Sequence, residues 1–135
     1  VIPDFFRDVI NNNDIIIYSD GKATRTFCYI SDAITGYLRI LLSSYNGEPF
    51  NIGTESPEIS IGDLAEKIIQ ISGKDLSVKY NTSNDKQYLT DNPQRRCPSI
   101  LKAKELLQYN PKIELDEGLK RTYQYYLDHP ADEEL

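Results

Sequence analysis

Residues 15–32, IIIYSDGKATRTFCYISD, contain two strand-like runs separated by a tight turn. The β-branched run Ile15–Ile17 favours an extended strand. Asp20-Gly21 interrupts that run, because glycine readily takes the positive φ that a tight turn needs. A second strand-like run follows over residues 24–30, so the whole stretch predicts a β-hairpin.

The second run carries a side-chain pattern that suits a small ligand. Side chains alternate across a strand, so Arg25, Phe27 and Tyr29 are expected to share one face. An arginine binds phosphate through a bidentate fork, and aromatic rings give flat contact area. A site for a phosphorylated or planar molecule is one interpretation. The other is aromatic core packing beside a solvated arginine.

The composition is that of one small acidic domain. The chain has 135 residues, of which 39% are hydrophobic and 27% charged, with a formal net charge of −6. This length supports a single core, and the acidic charge argues against nucleic-acid binding. No apolar run approaches the roughly 20 residues of a membrane span, and no signal-peptide pattern opens the chain. We therefore expect a cytoplasmic protein without a membrane partner.

Few residues suit metal binding or covalent catalysis. Cys28 and Cys97 are far apart in sequence and are expected to be buried thiols. The single histidine argues against a metal cluster and against a His-based triad. Tyr18 and Lys22 have the Tyr-x-x-x-Lys spacing, but Asp-Gly places a turn between them. No Gly-x-Gly-x-x-Gly or Walker loop occurs. We expect no metal and no catalytic residue in this chain.

Apolar periodicity predicts an α/β fold with about four or five helices and short strands. The predicted helices cover residues 2–10, 32–42, 61–72, 100–107 and 115–127, with Ser31 and Ser60 as caps and Gly73 ending the third. Further strands are predicted at residues 50–53 and 76–80.

The helix predicted over residues 32–42 has an unusually wide apolar arc. Its apolar residues are Ala33, Ile34, Tyr37, Leu38, Leu41 and Leu42. So broad a stripe indicates burial against more than one neighbour. The chain has no methionine and begins at Val1, as expected of a piece of a longer protein. We therefore predict an exposed apolar patch on this helix, where an absent domain would pack.

Residues 81–97 form a long polar segment without helical or strand periodicity. A loop of this length in a compact domain is usually functional or disordered. It contains Arg95 and Arg96, which together with Arg25 could clamp a diphosphate. Solvation is the favoured interpretation of Arg95, and both interpretations stay open for Arg96.

Four blocks in the same order resemble the NAD-dependent nucleotide-sugar epimerases, dehydratases and decarboxylases, which are the extended short-chain dehydrogenases. The blocks are YSDGKATRTFCYISD at 18–32, FNIG at 50–53, KAKELLQYNP at 102–111 and LDEGL at 115–119. Within the family, DNPQRRCPSI at 91–100 is most similar to the UDP-glucuronate decarboxylases. Asn92 and Ser99 replace aspartates of that pattern. A UDP- or dTDP-sugar 4,6-dehydratase, or a 4-epimerase, stays open.

The resemblance implies a division of labour within a longer enzyme. Residues 1–130 would be its C-terminal portion, which binds the nucleotide sugar, and residues 131–135 an acidic tail. A missing N-terminal Rossmann domain would hold NAD and the catalytic Tyr-x-x-x-Lys pair. The full-length enzyme would be a homodimer acting on a UDP-sugar or another nucleotide sugar, and this chain alone would be inactive.

The resemblance also implies roles for six residues. Ile16, Ile17 and Tyr18 would border the base. Arg25 would bind the diphosphate beside Phe27, and Arg96 would supply a second phosphate or ribose contact. The alternative from another class is a non-catalytic module that binds an anion or a protein.

Overall fold

The computed structural model describes residues 1–81 and 93–129, in which more residues lie in helices than in strands. The five helices of these ranges are α1 (Ile2–Ile10), α2 (Ile30–Leu41), α3 (Ile61–Ser72), α4 (Leu101–Leu107) and α5 (Leu115–Asp128). The strands are β1 (Ile15–Ile17), β2 (Thr24–Arg25), β3 (Ile59–Ser60), β4 (Val78–Tyr80) and β5 (Arg95–Arg96). The predicted α/β class is confirmed. Residues 82–92 of the predicted loop and the predicted tail lie outside the described residues.

The strands form two small sheets rather than the predicted hairpin. β1 pairs in parallel with β4, whereas β2 lies between antiparallel β3 and parallel β5. The hairpin prediction is wrong because both edges of β2 are occupied, which leaves no place for β1. β2 also ends at Arg25, where the chain leaves the sheet toward α2. Arg95 and Arg96, predicted as loop residues, are in a strand.

The main core lies between helices α1, α3 and α5 and strand β1. Its buried side chains are Phe5, Phe6, Val9, Ile15, Ile17, Leu64, Ala65, Ile68, Leu115 and Leu119. The apolar stripes predicted for these helices supply most of them, because each helix turns its stripe inward. Phe6 stacks on Tyr123 with ring centres 5.8 Å apart, which joins α1 to α5.

A second, smaller core joins α2 to α4. Its buried residues are Ile100, Ala103, Leu107 and Tyr109, with Ile40, Phe50 and Ile52 packed against them. Residues 50–53 are not the predicted strand. Side chains hold this segment instead: the Tyr109 hydroxyl donates to the Gly53 carbonyl at 3.0 Å, and the Asn51 amide donates to the Ser99 carbonyl at 3.0 Å.

Helix ends follow the predicted signals in part. Ser60 caps α3: its Oγ accepts from the Asp63 N–H at 3.0 Å and donates to Asp63 Oδ2 at 2.6 Å. Gly73 ends α3 with a left-handed φ of 67°. These two predictions are confirmed. α2 begins at Ile30, so Ser31 lies inside the helix rather than capping it.

The apolar face of α2 is exposed, as predicted. Its exposed side chains are Ile30, Ile34, Tyr37, Leu38 and Leu41, continued by Leu42 just beyond the helix. Leu41 and Leu42 are 76% and 83% exposed. None of the helices in residues 1–81 and 93–129 combines the length and apolar character needed to cross a bilayer.

Asp32 is buried and ties α2 to the segment that precedes α5. Its Oδ2 accepts hydrogen bonds from the backbone N–H groups of Lys112 at 2.9 Å and Ile113 at 2.8 Å. Among the described residues, Asp32 is the side chain that accepts from both of these N–H groups. The start of α2 and the approach to α5 are therefore fixed to each other by one carboxylate.

Replacing Asp32 with alanine is expected to lower the free energy of unfolding by about 1–3 kcal/mol, because two backbone donors lose their acceptor. Urea denaturation measures this value. Asp128→Ala is the control: Asp128 is exposed near the end of α5, and its loss is expected to cost less than about 0.5 kcal/mol. A loss for Asp32→Ala no larger than the control would contradict the prediction.

Candidate functional site

A large cavity opens between α1, the end of β1 and the sheet that contains β2 and β5. Its volume is about 1170 Å³. All six residues predicted to bind substrate line it: Ile16, Ile17, Tyr18, Arg25, Phe27 and Arg96. Small-molecule sites typically measure about 300–1,000 Å³, so the cavity has room for a ligand with several linked groups.

The pairing of β2 with β5 puts two arginines side by side on the cavity wall. In the parallel register Arg25 lies opposite Arg96, and Thr24 lies opposite Arg95. Because side chains alternate along a strand, Arg25 and Arg96 project to one face and Thr24 and Arg95 to the other. The first pair lines the cavity and the second does not.

Backbone carbonyls orient the Arg25 guanidinium. Its Nη1 donates to the Thr24 carbonyl at 2.7 Å and its Nη2 to the Pro93 carbonyl at 2.6 Å. Arg25 is half-buried, whereas Arg96 is exposed toward the cavity. Like charges on directly paired strand residues repel each other. Charge-assisted bonds between a guanidinium group and phosphate are strong, so two adjacent arginines suit an anionic ligand.

Strand β1 supplies the apolar side of the cavity. Ile16 and Tyr18 are 41% and 53% exposed, so their side chains are available to a ligand. Ile17 is 4% exposed and belongs to the main core. It supports the cavity wall from behind rather than offering its side chain.

Phe27 and Tyr29 do not share the face predicted for them. Phe27 is half-buried, lines the cavity and packs against the main core. Tyr29 instead packs against α5 at Gly118. A Cβ placed on Gly118 would lie 3.1 Å from Cδ2 of Tyr29. The Arg121 guanidinium lies 5.7 Å from its ring centre. The prediction is wrong because β2 ends at Arg25, and the alternation of faces stops there.

Lys79 and Asp14 also line the cavity. No pattern in the sequence had indicated either residue. Lys79 lies on β4 as the register partner of Ile16. Its Nζ is 2.7 Å from Asp14 Oδ2. Hydrogen bonds from Lys79 and Ser77 lower the pKa of Asp14 to about 2. The alternation of residues 76–80 predicted a strand but not its partner, so no local signal could have found this pair.

Replacing Lys79 with glutamine is expected to raise the pKa of Asp14 from about 2 toward 3.8, because the largest cause of its lowering is removed. Carbon-detected NMR of the carboxyl group measures the midpoint. Since the folded-state pKa is the lower one, the stabilisation from this pair is present above pH 4 or so and lost as the pH falls through about 2.

Lys102→Gln is the control for this titration, because Lys102 pairs with Glu48 at 2.7 Å instead. It is expected to leave the Asp14 midpoint unchanged. An Asp14 midpoint that stays near 2 in Lys79→Gln would contradict the assignment of the ion pair.

The cavity is better equipped for binding than for making bonds. Cys28 lines it as a half-buried free thiol. Burial raises the pKa of Cys28, which keeps the thiol protonated and weakly nucleophilic at neutral pH. Across the described ranges, no group of three or more His, Cys, Asp or Glu side chains is placed to hold a metal ion.

Residues 1–53, which include α1, β1, β2 and much of α2, match the NAD dependent epimerase/dehydratase family. This match covers 53 of the 135 residues. The resemblance to the extended short-chain dehydrogenases is therefore confirmed, with family members among both curated proteins and solved structures.

Two curated relatives in the family are decarboxylases. The UDP-N-acetyl-alpha-D-glucosaminuronate decarboxylase of Bacillus cytotoxicus is 35% identical over 129 residues, which cover 93% of this chain and 39% of the relative. UDP-glucuronic acid decarboxylase 1 of Arabidopsis thaliana is 34% identical over 121 residues, covering 90% of this chain and 26% of the relative. The chain thus spans well under half the length of each.

Two solved structures in the family are epimerases. The UDP-glucuronic acid 4-epimerase of Bacillus cereus, in complex with UDP-glucuronic acid and NAD, is 31% identical with a TM-score of 0.81, covering 94% of this chain and 39% of that one. The UDP-glucose 4-epimerase of Thermotoga maritima, with UDP-glucose, is 26% identical with a TM-score of 0.85, covering 96% of this chain and 40% of that one.

Proposed function

We propose that residues 1–130 are the C-terminal, nucleotide-sugar-binding portion of an NAD-dependent enzyme that decarboxylates a UDP-glucuronate-like sugar. The observation that carries the proposal is the pair Arg25 and Arg96, adjacent on the wall of a cavity of about 1170 Å³. Each guanidinium can bind phosphate oxygens through a fork of donors. Two adjacent guanidinium groups match the two linked phosphates of a nucleoside diphosphate.

The apolar side of the cavity suits the remainder of the nucleotide. Ile16 and Tyr18 offer exposed apolar and aromatic surface to a planar base. Phe27 also lines the cavity. Binding energy gained at the base and phosphates can then be used to orient the sugar for a reaction elsewhere.

The start of α3 does not fit the pyrophosphate of NAD. α3 directly follows strand β3, an arrangement whose free N–H groups can bind a pyrophosphate. Here the Ile61 N–H donates to the Ala23 carbonyl and the Gly62 N–H to the Gly21 carbonyl. The Asp63 N–H donates to its capping serine. We therefore assign NAD, which oxidises C4 of the sugar before the carboxyl group is lost, to another part of the enzyme.

The exposed face of α2 is the proposed contact with that NAD-binding part. Its apolar residues are contiguous and largely exposed, with Ile34 at 49% and Tyr37 at 60%. Soluble monomers rarely expose so extended an apolar patch. The chain also spans only 39% of a relative whose structure holds NAD, which leaves room for such a domain. A homodimeric full-length enzyme is a part of the proposal that rests on the family resemblance, and a cytoplasmic location is a part that rests on the sequence pattern.

UDP is expected to bind this chain, and Arg96→Ala is expected to weaken that binding about tenfold or more, because charge-assisted bonds to phosphate are lost. Isothermal titration calorimetry measures the affinity. Arg121→Gln is the control, since Arg121 pairs with Glu117 on α5 and does not line the cavity. Equal losses in both variants would point to net charge rather than to a site, and an absence of UDP binding would contradict the proposal.

The isolated chain is expected to self-associate through α2 and not to bind NAD. Replacing Leu41 and Leu42 with serine should reduce the association measured by sedimentation velocity, because apolar surface is removed. Leu127→Ser, at an exposed position of α5, is the control. A monomer at all concentrations, or NAD binding detected by calorimetry, would contradict this part of the proposal.

The second candidate function is a different reaction of the same family, namely epimerisation of a UDP-sugar. The likeness to two UDP-sugar 4-epimerases favours an epimerase as the alternative, and a dTDP- or UDP-sugar 4,6-dehydratase would use the same diphosphate contacts. The candidate from another class is a non-catalytic module whose arginines bind an anion or protein. Failure to bind UDP while binding inorganic phosphate would favour that module.

A further inference from the structure

Glu58 connects all three strands of the sheet that carries the arginines. It directly precedes β3, and its carboxylate accepts hydrogen bonds from side chains on β2 and β5. Arg95 on β5 binds it in a bidentate manner: Nε lies 2.9 Å from Oε1 and 3.1 Å from Oε2, and Nη2 lies 2.8 Å from Oε2. The Thr24 hydroxyl on β2 donates to Oε1. We call Glu58, Thr24 and Arg95 the outer clamp.

The outer clamp lies on the opposite side of the sheet from the cavity. Thr24 and Arg95 are register partners, and so are Arg25 and Arg96 one position further along. None of the outer-clamp residues lines the cavity, whereas Arg25 and Arg96 do. Fixing Arg95 on the outer face therefore fixes Arg96 on the inner face, because adjacent side chains of a strand point in opposite directions.

The backbone contributes little to holding this register. β2, β3 and β5 are two residues long. Beyond the two-residue ladder itself, the Thr24 N–H donates to the Gln94 carbonyl at 2.8 Å and the Thr26 N–H to the Arg96 carbonyl at 3.2 Å. The outer clamp adds side-chain contacts from Glu58 to both β2 and β5.

We propose that Glu58 is a positioning residue, which holds Arg96 beside Arg25 so that both can bind the two phosphates of a nucleoside diphosphate. This inference rests on the proposed function of the cavity. Glu58 does not itself contact the ligand. It acts through Arg95 and Thr24, and hydrogen bonds from those two groups lower the pKa of Glu58, which keeps the carboxylate charged at neutral pH.

A double-mutant cycle separates this role from a purely structural one. Glu58→Gln is expected to weaken UDP binding about fivefold in the unaltered chain and to have no further effect in an Arg96→Ala background, because directly coupled residues are not additive. Exchanging the partners, as Glu58→Arg with Arg95→Glu, is expected to restore most of the affinity. Glu48→Gln, which breaks the ion pair with Lys102, is the control with no expected effect.

Hydrogen exchange at the Thr26 N–H tests the clamp without any ligand. Glu58→Gln is expected to speed this exchange, since the N–H donates to the Arg96 carbonyl across the loosened pair of strands. Unchanged exchange, unchanged UDP affinity, or an equal loss of affinity in the Arg96→Ala background would each overturn the inference while leaving the proposed function intact. Absence of UDP binding by the unaltered chain would overturn the proposed function and this inference with it.

Discussion

The parallel register between β2 and β5 decides which arginines of this sheet face the cavity. A slip of one residue would turn Arg96 outward and bring Arg95 to the cavity wall, because the side-chain period of a strand is two residues. With strands only two residues long, that register depends on contacts beyond the ladder. On the outer face it is held by Glu58, and on the β3 side by the pairing of Arg25 with Ile59.

The start of α3 explains why β1 and β2 diverge into separate sheets. Its first N–H groups bind the carbonyls of Gly21 and Ala23, at 2.9 Å and 3.0 Å. The turn predicted at Asp20-Gly21 is therefore present, with a φ of 71° at the glycine. It contacts the start of α3 instead of joining two paired strands. The same contact that anchors the turn leaves space between the sheets, and the cavity occupies that space.

Local signals in the sequence predicted the helices well, apart from the start of α2, and were insufficient for the sheets. The apolar stripes, the Ser60 cap and the Gly73 terminus each depend on neighbours within one or two helical turns, so the sequence predicts them well. The pairing of β1 with β4 joins residues such as Ile16 and Lys79, which no local pattern relates. The hairpin and the shared face of Phe27 and Tyr29 failed for this reason.

The candidate site was predictable to the same extent. Arg25 and Arg96 were singled out from the residues as possible diphosphate ligands, the family resemblance implied the same role, and both line the cavity. The sequence offered no reason to see them as register partners, because β5 followed a long polar segment without periodicity. Glu58 was invisible to motif analysis, since its role depends on two strands that come together only in the folded chain. A residue that positions a binding residue indirectly, through a third side chain, is not indicated by a local sequence pattern.

An NMR titration of the arginine Nε–Hε signals with UDP tests whether Arg25 and Arg96 bind the diphosphate. Each arginine of the chain reports separately on its own surroundings, so the experiment identifies which guanidinium groups contact the ligand. Saturable shifts are expected at Arg25 and Arg96, with Arg121 unaffected. Shifts confined to Arg95, or no shifts at Arg25 and Arg96, would show that this pair does not bind the diphosphate.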